Sequence, residues 1–172
     1  QLRAVLFWSG WKVRRCQVWR PLNIARKTPD PTVIVHERAH VLATWQIAGT
    51  TGRRPIVRTS PGAAETLGLG YLAAMFQGTS DTPGATGIDP RAIVDCGQDG
   101  ALAHQAFVMG FGTVAFSGTK RMRDKLQAIA GKCGGTVVSA TIPKGAIDLV
   151  NSADPEQDAR DGLATRDGPA NK

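Results

Sequence analysis

The stretch HERAH, residues 36–40, fits the pattern H-E-x-x-H. In zinc proteases this pattern places two histidines one helical turn apart as metal ligands, with the glutamate as general base. His36 and His40 are therefore candidate zinc ligands, and a zinc hydrolase is one function that the residues could support. The site would need a third ligand, and the only other histidine, His104, lies on a different predicted helix.

The helix predicted from residue 37 argues against a metal site at this stretch. Its apolar stripe centres near Val41 and Trp45, and a rotation of about 100° per residue places His40 roughly 130° from that centre. We therefore expect the two histidines to face away from the core, with His36 in the turn before the helix. Glu37 would then favour the positive end of the helix, and no zinc would be bound.

A second group of polar residues follows two predicted strands. Asp95 and Cys96 end one of them, and Cys96 could ligate a metal only as a thiolate. The next strand runs into a helix whose free amides and positive end favour an anion. The predicted anion-binding residues there are Ser117, Gly118, Thr119, Lys120 and Arg121.

Neighbouring parallel strands end at the same edge of a sheet, so these two groups are expected to converge on one concave site. Asp95 could accept a hydrogen bond from a ligand hydroxyl there. Two simpler interpretations stay open. In the first, Asp95 has no contact with a ligand and merely shapes the turn or caps the following helix. In the second, the basic residues form a solvated face that binds no ligand.

The elements that must position these residues alternate regularly along residues 32–140. Short apolar runs bounded by Pro and Gly predict strands, and longer periodic runs predict helices. The predicted strands are 32–35, 55–60, 91–97, 113–118 and 136–140, and the predicted helices are 37–49, 63–78, 100–110 and 119–135. Repeated strand–helix units predict an α/β domain with five parallel strands and right-handed crossovers.

Two longer stretches carry a family resemblance. RPIVRTSPGAAETLGLGYLAAMFQG (54–78) resembles the second βα unit of class II fructose-bisphosphate aldolases, and AIVDCGQDGALAHQAFVMGFGTVAFSGT (92–119) resembles the next stretch of that family. The resemblance covers about residues 33–140 and implies the first half of a TIM (β/α)₈ barrel. It also implies a place in carbohydrate metabolism and an aldehyde-lyase acting on a phosphorylated sugar.

Carried over residue by residue, the resemblance assigns the family's catalytic aspartate to Asp95. The neighbouring zinc-binding histidine of the family is Cys96 here. Ser117 and Lys120 stand where the family has an aspartate and a histidine. We therefore expect a degenerate aldolase-like domain without metal-dependent catalysis, which binds a small phosphorylated or carboxylate metabolite or a protein partner. The lyase and the zinc hydrolase are the alternatives.

A half barrel leaves unpaired strand edges and an exposed inner face. It must close by forming a homodimer, by rearranging into an open sheet with helices on both sides, or by using its terminal segments as cover.

Composition limits the remaining possibilities. The chain of 172 residues is 42% hydrophobic and has three cysteines, which favours one cytoplasmic domain with reduced thiols. Its net charge of +7 comes mostly from residues 1–31, so the body of the domain is not expected to bind nucleic acid. No apolar run is long enough for a membrane span.

The two ends differ from the middle. Segment 1–31 is basic and rich in tryptophan. It could be an amphipathic arm, a transit peptide, or sequence outside the folded unit. Segment 141–172 is polar and is expected to be a disordered tail.

Overall fold

The computed structural model describes residues 31–79, 87–89 and 91–164, and these contain six strands and six helices. The strands are β1 Thr32–Val35, β2 Ile56–Thr59, β3 Ala92–Asp95, β4 Thr113–Phe116, β5 Thr136–Ser139 and β6 Ile147–Asp148. The helices are α1 Arg38–Thr51, α2 Ala63–Leu67, α3 Leu69–Phe76, α4 Gly100–Val108, α5 Lys120–Cys133 and α6 Pro155–Ala164. The interpretations of segment 1–31, apart from Pro31, and of residues after 164 lie outside the described residues.

All six strands form one parallel sheet in the order β5-β4-β3-β2-β1-β6. The first five strands are neighbours in chain order, and each is followed by a helix or helix pair except β5. Right-handed crossovers between strands added in one direction place the helices on one face of the sheet. The predicted α/β fold with parallel βα repeats is therefore confirmed, and its order is compatible with half a barrel.

Local sequence explains most element boundaries. The strands are rich in Val, Ile and Thr, whose branched side chains favour extended backbone. Gly52 ends α1 with φ of 65°, a left-handed conformation that glycine adopts at low cost. Asp99 begins α4, where its side chain accepts hydrogen bonds from the amides of Ala101 and Leu102.

The core lies between the sheet and the helices. Alternate strand residues point into it, and Val33, Val57, Val94 and Val114 are completely buried there. They pack with helix residues that include Ile47, Leu72, Phe76, Phe107 and Leu126. Within the described ranges, no helix is long and apolar enough to cross a membrane.

The sixth strand was not predicted. β5 and β6 lie at opposite edges of the sheet and are joined by the short connection 140–146. This connection lies over the face opposite the helices, because Arg58 of β2 hydrogen-bonds to the carbonyl oxygens of Ala140 and Thr141. Residues of the C-terminal segment therefore lie on this face, as expected for one of the three ways to close a half barrel.

The expectation of a disordered tail from residue 141 is corrected for residues 141–164. β6 pairs with β1, and α6 packs against α1. Leu149, Ala159 and Leu163 are at most 1% exposed. These few apolar residues are enough to fold the segment onto the domain, because their spacing places them on one buried side. The polar residues between them face the solvent.

Candidate functional site

Asp95, the predicted catalytic residue, is enclosed at the end of β3. Its Oδ2 lies 2.7 Å from Nη2 of Arg58, and its Oδ1 accepts hydrogen bonds of 3.0 Å from the amides of Gly62 and Gly97. The residue is 1% exposed. Because both carboxylate oxygens bind protein donors and solvent does not reach them, Asp95 cannot contact a ligand in this arrangement. These contacts agree with the simpler interpretation, in which Asp95 shapes the turn after β3.

Arg58 is the partner that the sequence reasoning missed. Its Nη1 donates to the carbonyl oxygens of Ser139 and Thr141 at 3.3 and 3.1 Å, and its Nη2 donates to that of Ala140 at 2.6 Å. It is 3% exposed, and its Nε has no hydrogen-bond partner among the described residues. Arg58 and Asp95 thus join β2 and β3 to the chain that leaves β5. The sequence did contain one indication of this role, because Arg58 is a charged residue within an apolar strand.

Cys96 lies on the other side of the strand from Asp95, within the hydrophobic core. Burial raises the pKa of its thiol to about 12, and the negative charges of Asp95, Asp99 and Glu65 act in the same direction. The thiol is therefore protonated at neutral pH, whereas a metal ligand or nucleophile must be a thiolate. Cys96 does not share a surface with Asp95, so the two do not form the expected joint site.

The predicted anion-binding residues lie at the surface, where β4 passes into α5. Ser117, Thr119, Lys120 and Arg121 are exposed, and Gly118 is half-buried. The amide of Ser117 donates to the carbonyl of Gly97 at 2.8 Å, so the ends of β3 and β4 are adjacent as expected. Asp95 lies buried at this edge rather than on its surface. The ends of β3 and β4 therefore lie together as expected, but the side chains of Asp95 and Cys96 do not join the exposed residues in one site.

The first turn of α5 leaves two amides open. Thr119 caps the helix, since its Oγ1 accepts from the amide of Met122 at 3.4 Å and its carbonyl from that of Arg123 at 3.0 Å. The amides of Lys120 and Arg121 have no acceptor among the described residues, as expected for the start of a helix. A hydrogen bond of 2.8 Å to Asp124 raises the pKa of Lys120, so its ammonium is charged at neutral pH.

Gly118 is required by close packing. A Cβ at this position would lie 2.3 Å from the ring of Phe116. The guanidinium of Arg123 reaches back to donate to the Phe116 carbonyl at 2.6 Å. The sheet edge and the start of α5 are therefore held together by the backbone and by one buried ring.

The HERAH stretch is placed partly as predicted. His36 lies in the bend between β1 and α1, but His40 is 4% exposed rather than directed away from the core. One difference from the expectation is that α6, which was not predicted, packs against α1, so that buried residues occupy more than one side of this helix. In the described ranges, no group of three or more His, Cys, Asp or Glu side chains is arranged to hold a metal ion.

Comparisons with known proteins found no matching family model, no matching curated protein and no matching solved structure.

Proposed function

We propose that this domain binds a small anion, the phosphate or carboxylate group of a metabolite, at the amino end of α5. It would do so as a degenerate aldolase-like domain, without metal-dependent cleavage. The observation that carries the proposal is the pair of open amides at Lys120 and Arg121, next to two exposed cationic side chains.

The local chemistry supports an anion. Helix amides point along the helix axis toward its amino end, and the helix dipole adds a partial positive charge there. The hydroxyls of Ser117 and Thr119 are exposed beside these amides and can donate hydrogen bonds to phosphate oxygens. Two carboxylates in this region already have partners: Glu65 accepts a hydrogen bond of 3.1 Å from the amide of Gln98, and Asp124 accepts one of 2.8 Å from Nζ of Lys120.

The lyase alternative receives less support from the same geometry. An aldolase base must reach the carbon or oxygen that gains or loses a proton. Asp95 would first have to leave Arg58 and two backbone amides, and this would leave a buried guanidinium without its counter-ion.

Binding can be tested by calorimetric titration with inorganic phosphate and with a sugar bisphosphate at fixed ionic strength. We expect saturable binding by the unmodified protein and at least about a tenfold loss for Lys120→Ala combined with Arg121→Ala. The matched control is Lys125→Ala with Lys132→Ala, which removes the same charge from exposed positions farther along α5. Equal loss in both double variants would indicate a nonspecific charge effect and would contradict the site.

A further inference from the structure

The HERAH residues connect the start of α1 to the C-terminal segment. Nε2 of His36 lies 2.7 Å from Oδ1 of Asp148 in β6, which also accepts the amide of Val150 at 3.0 Å. Asp148 therefore links the end of β1 to the chain that leads into α6. The amide of Leu149 adds a hydrogen bond to the carbonyl of Ile34.

His40 contacts the backbone of His36, the residue whose ring lies against Asp148. Its Nδ1 accepts a hydrogen bond of 3.3 Å from the backbone amide of His36, and its Nε2 lies 3.3 Å from Oε1 of Glu37. An imidazole nitrogen that accepts a hydrogen bond carries no proton, so the proton of the neutral ring is on Nε2. A protonated His40 would carry hydrogen on both nitrogens and would lose the bond from His36.

We propose that His40, His36 and Asp148 form a proton-sensitive latch, and that acidification below neutral pH releases the segment Ile147–Ala164 from β1 and α1. The bond that breaks is the one from the His36 amide to His40, and the ring of His36 then loses its fixed position against Asp148. The apolar side of α1 beneath α6 becomes accessible in the released state.

The direction follows from the groups that face His40. Burial lowers the pKa of His40 and outweighs Glu37, which raises it; His36 lowers it and Asp148 raises it more weakly. In α6, Glu156 is engaged by Gln46 at 3.2 Å. The pKa of His40 in the folded protein lies below the ordinary value for histidine. The latched state is therefore fully favoured when the pH is above that ordinary value. Its stability is lost as pH falls toward the folded pKa.

The contact between His36 and Asp148 opposes this change, since a charged imidazole binds a carboxylate more strongly. Both side chains are partly exposed, at 26% and 48%, so solvent screens their attraction. The buried ring of His40 therefore determines the direction.

Amide hydrogen exchange of α6 between pH 7.5 and 5.5 tests the latch in the full chain, in buffer without phosphate and after correction for the intrinsic exchange rate. We expect the opening constant of Pro155–Ala164 to rise with falling pH, by at most about tenfold per pH unit for one proton. His40→Asn keeps an acceptor near the position of Nδ1 but does not titrate, and it should flatten this dependence. His104→Asn, at an exposed position on α4, should not.

An opening constant that does not change with pH in the unmodified protein would overturn the proposal, as would an equal pH dependence in His40→Asn. If that variant does not fold, nuclear magnetic resonance of the unmodified protein decides. Titration of the His40 ring together with loss of α6 protection supports the latch, and titration while α6 stays protected refutes it.

Discussion

Nη2 of Arg58 lies 2.7 Å from Oδ2 of Asp95, and the two side chains are 3% and 1% exposed. The pair bridges adjacent strands and extends to three carbonyl oxygens at the end of β5. Burying two charges costs solvation energy, and here neighbouring amides and carbonyls offset part of that cost. The position that a family resemblance would make catalytic is therefore occupied by a structural ion pair.

Removing one partner of this pair should be strongly destabilising. Asp95→Ala leaves the guanidinium of Arg58 buried without a counter-ion, and we expect a loss of about 3–5 kcal/mol in the free energy of unfolding, measured by urea denaturation. Arg58→Met combined with Asp95→Leu should cost less than the sum of the single changes. If Asp95→Ala is as mild as Lys125→Ala, about 0.5 kcal/mol or less, the ion pair does not hold the fold.

The C-terminal helix should contribute to stability. Leu163 is 1% exposed, and Leu163→Ala should lower the free energy of unfolding by about 2–5 kcal/mol through lost burial and a residual cavity. The matched control Leu67→Ala removes the same atoms from a side chain that is 47% exposed, and should cost less than about 1 kcal/mol. Equal effects in thermal denaturation would mean that α6 does not pack on the domain.

Cys96 should be chemically inert while the protein is folded. With a pKa of about 12, only about one thiol in ten thousand is ionised at pH 8. Iodoacetamide labelling at pH 8, mapped by peptide mass spectrometry, should modify Cys133 and leave Cys96 intact until denaturant is added. Rapid labelling of Cys96 in the native protein would contradict the burial of its thiol.

Replacing Gly118, just before α5, or Gly131, within α5, by alanine should change the free energy of unfolding in opposite directions. Gly118→Ala places a methyl group against the ring of Phe116, and should destabilise the fold by about 1–3 kcal/mol. The methyl group that Gly131→Ala adds has no neighbouring atom within 4 Å. Because alanine favours a helix over glycine, this change should stabilise the fold by about 0.5–1 kcal/mol. Chemical denaturation of the two variants measures both effects, and a neutral Gly118→Ala would contradict the close packing at the start of α5.

The first five strands and three of the four helices between them could be predicted because local signals agree. The single helix predicted over 63–78 is wrong, because the chain breaks at Gly68, which has a φ of 78°, and forms the two helices α2 and α3. Apolar runs such as 32–35 and 113–116 are bounded by Pro or Gly, and the helices between them are amphipathic. The β6–α6 segment was not predicted because its composition is polar and its buried apolar residues, Leu149, Ala159 and Leu163, are few and widely spaced. Its helix start was nevertheless readable, since Asp154 caps α6 by accepting the amide of Gln157 at 3.1 Å, and Pro155 follows it.

The side-chain surroundings of the site were harder to predict than its elements. The exposure of Lys120 and Arg121 follows from the amphipathic pattern of α5 alone. The burial of Asp95 depends on Arg58, which is 37 residues away in the chain, and on carbonyls beyond β5. The packing of α6 against α1 likewise joins segments that are more than a hundred residues apart in the chain. Periodicity within one helix contains no information about such contacts.

Anion binding at the start of α5 can be measured residue by residue from amide chemical shifts during titration with inorganic phosphate at constant ionic strength. We expect saturable shifts at the amides of Lys120 and Arg121, shared by Ser117 and Thr119, and an affinity at least about tenfold weaker when Lys120 and Arg121 are replaced by alanine. Shifts that stay linear in phosphate concentration, or that spread evenly over all exposed basic residues, would contradict it.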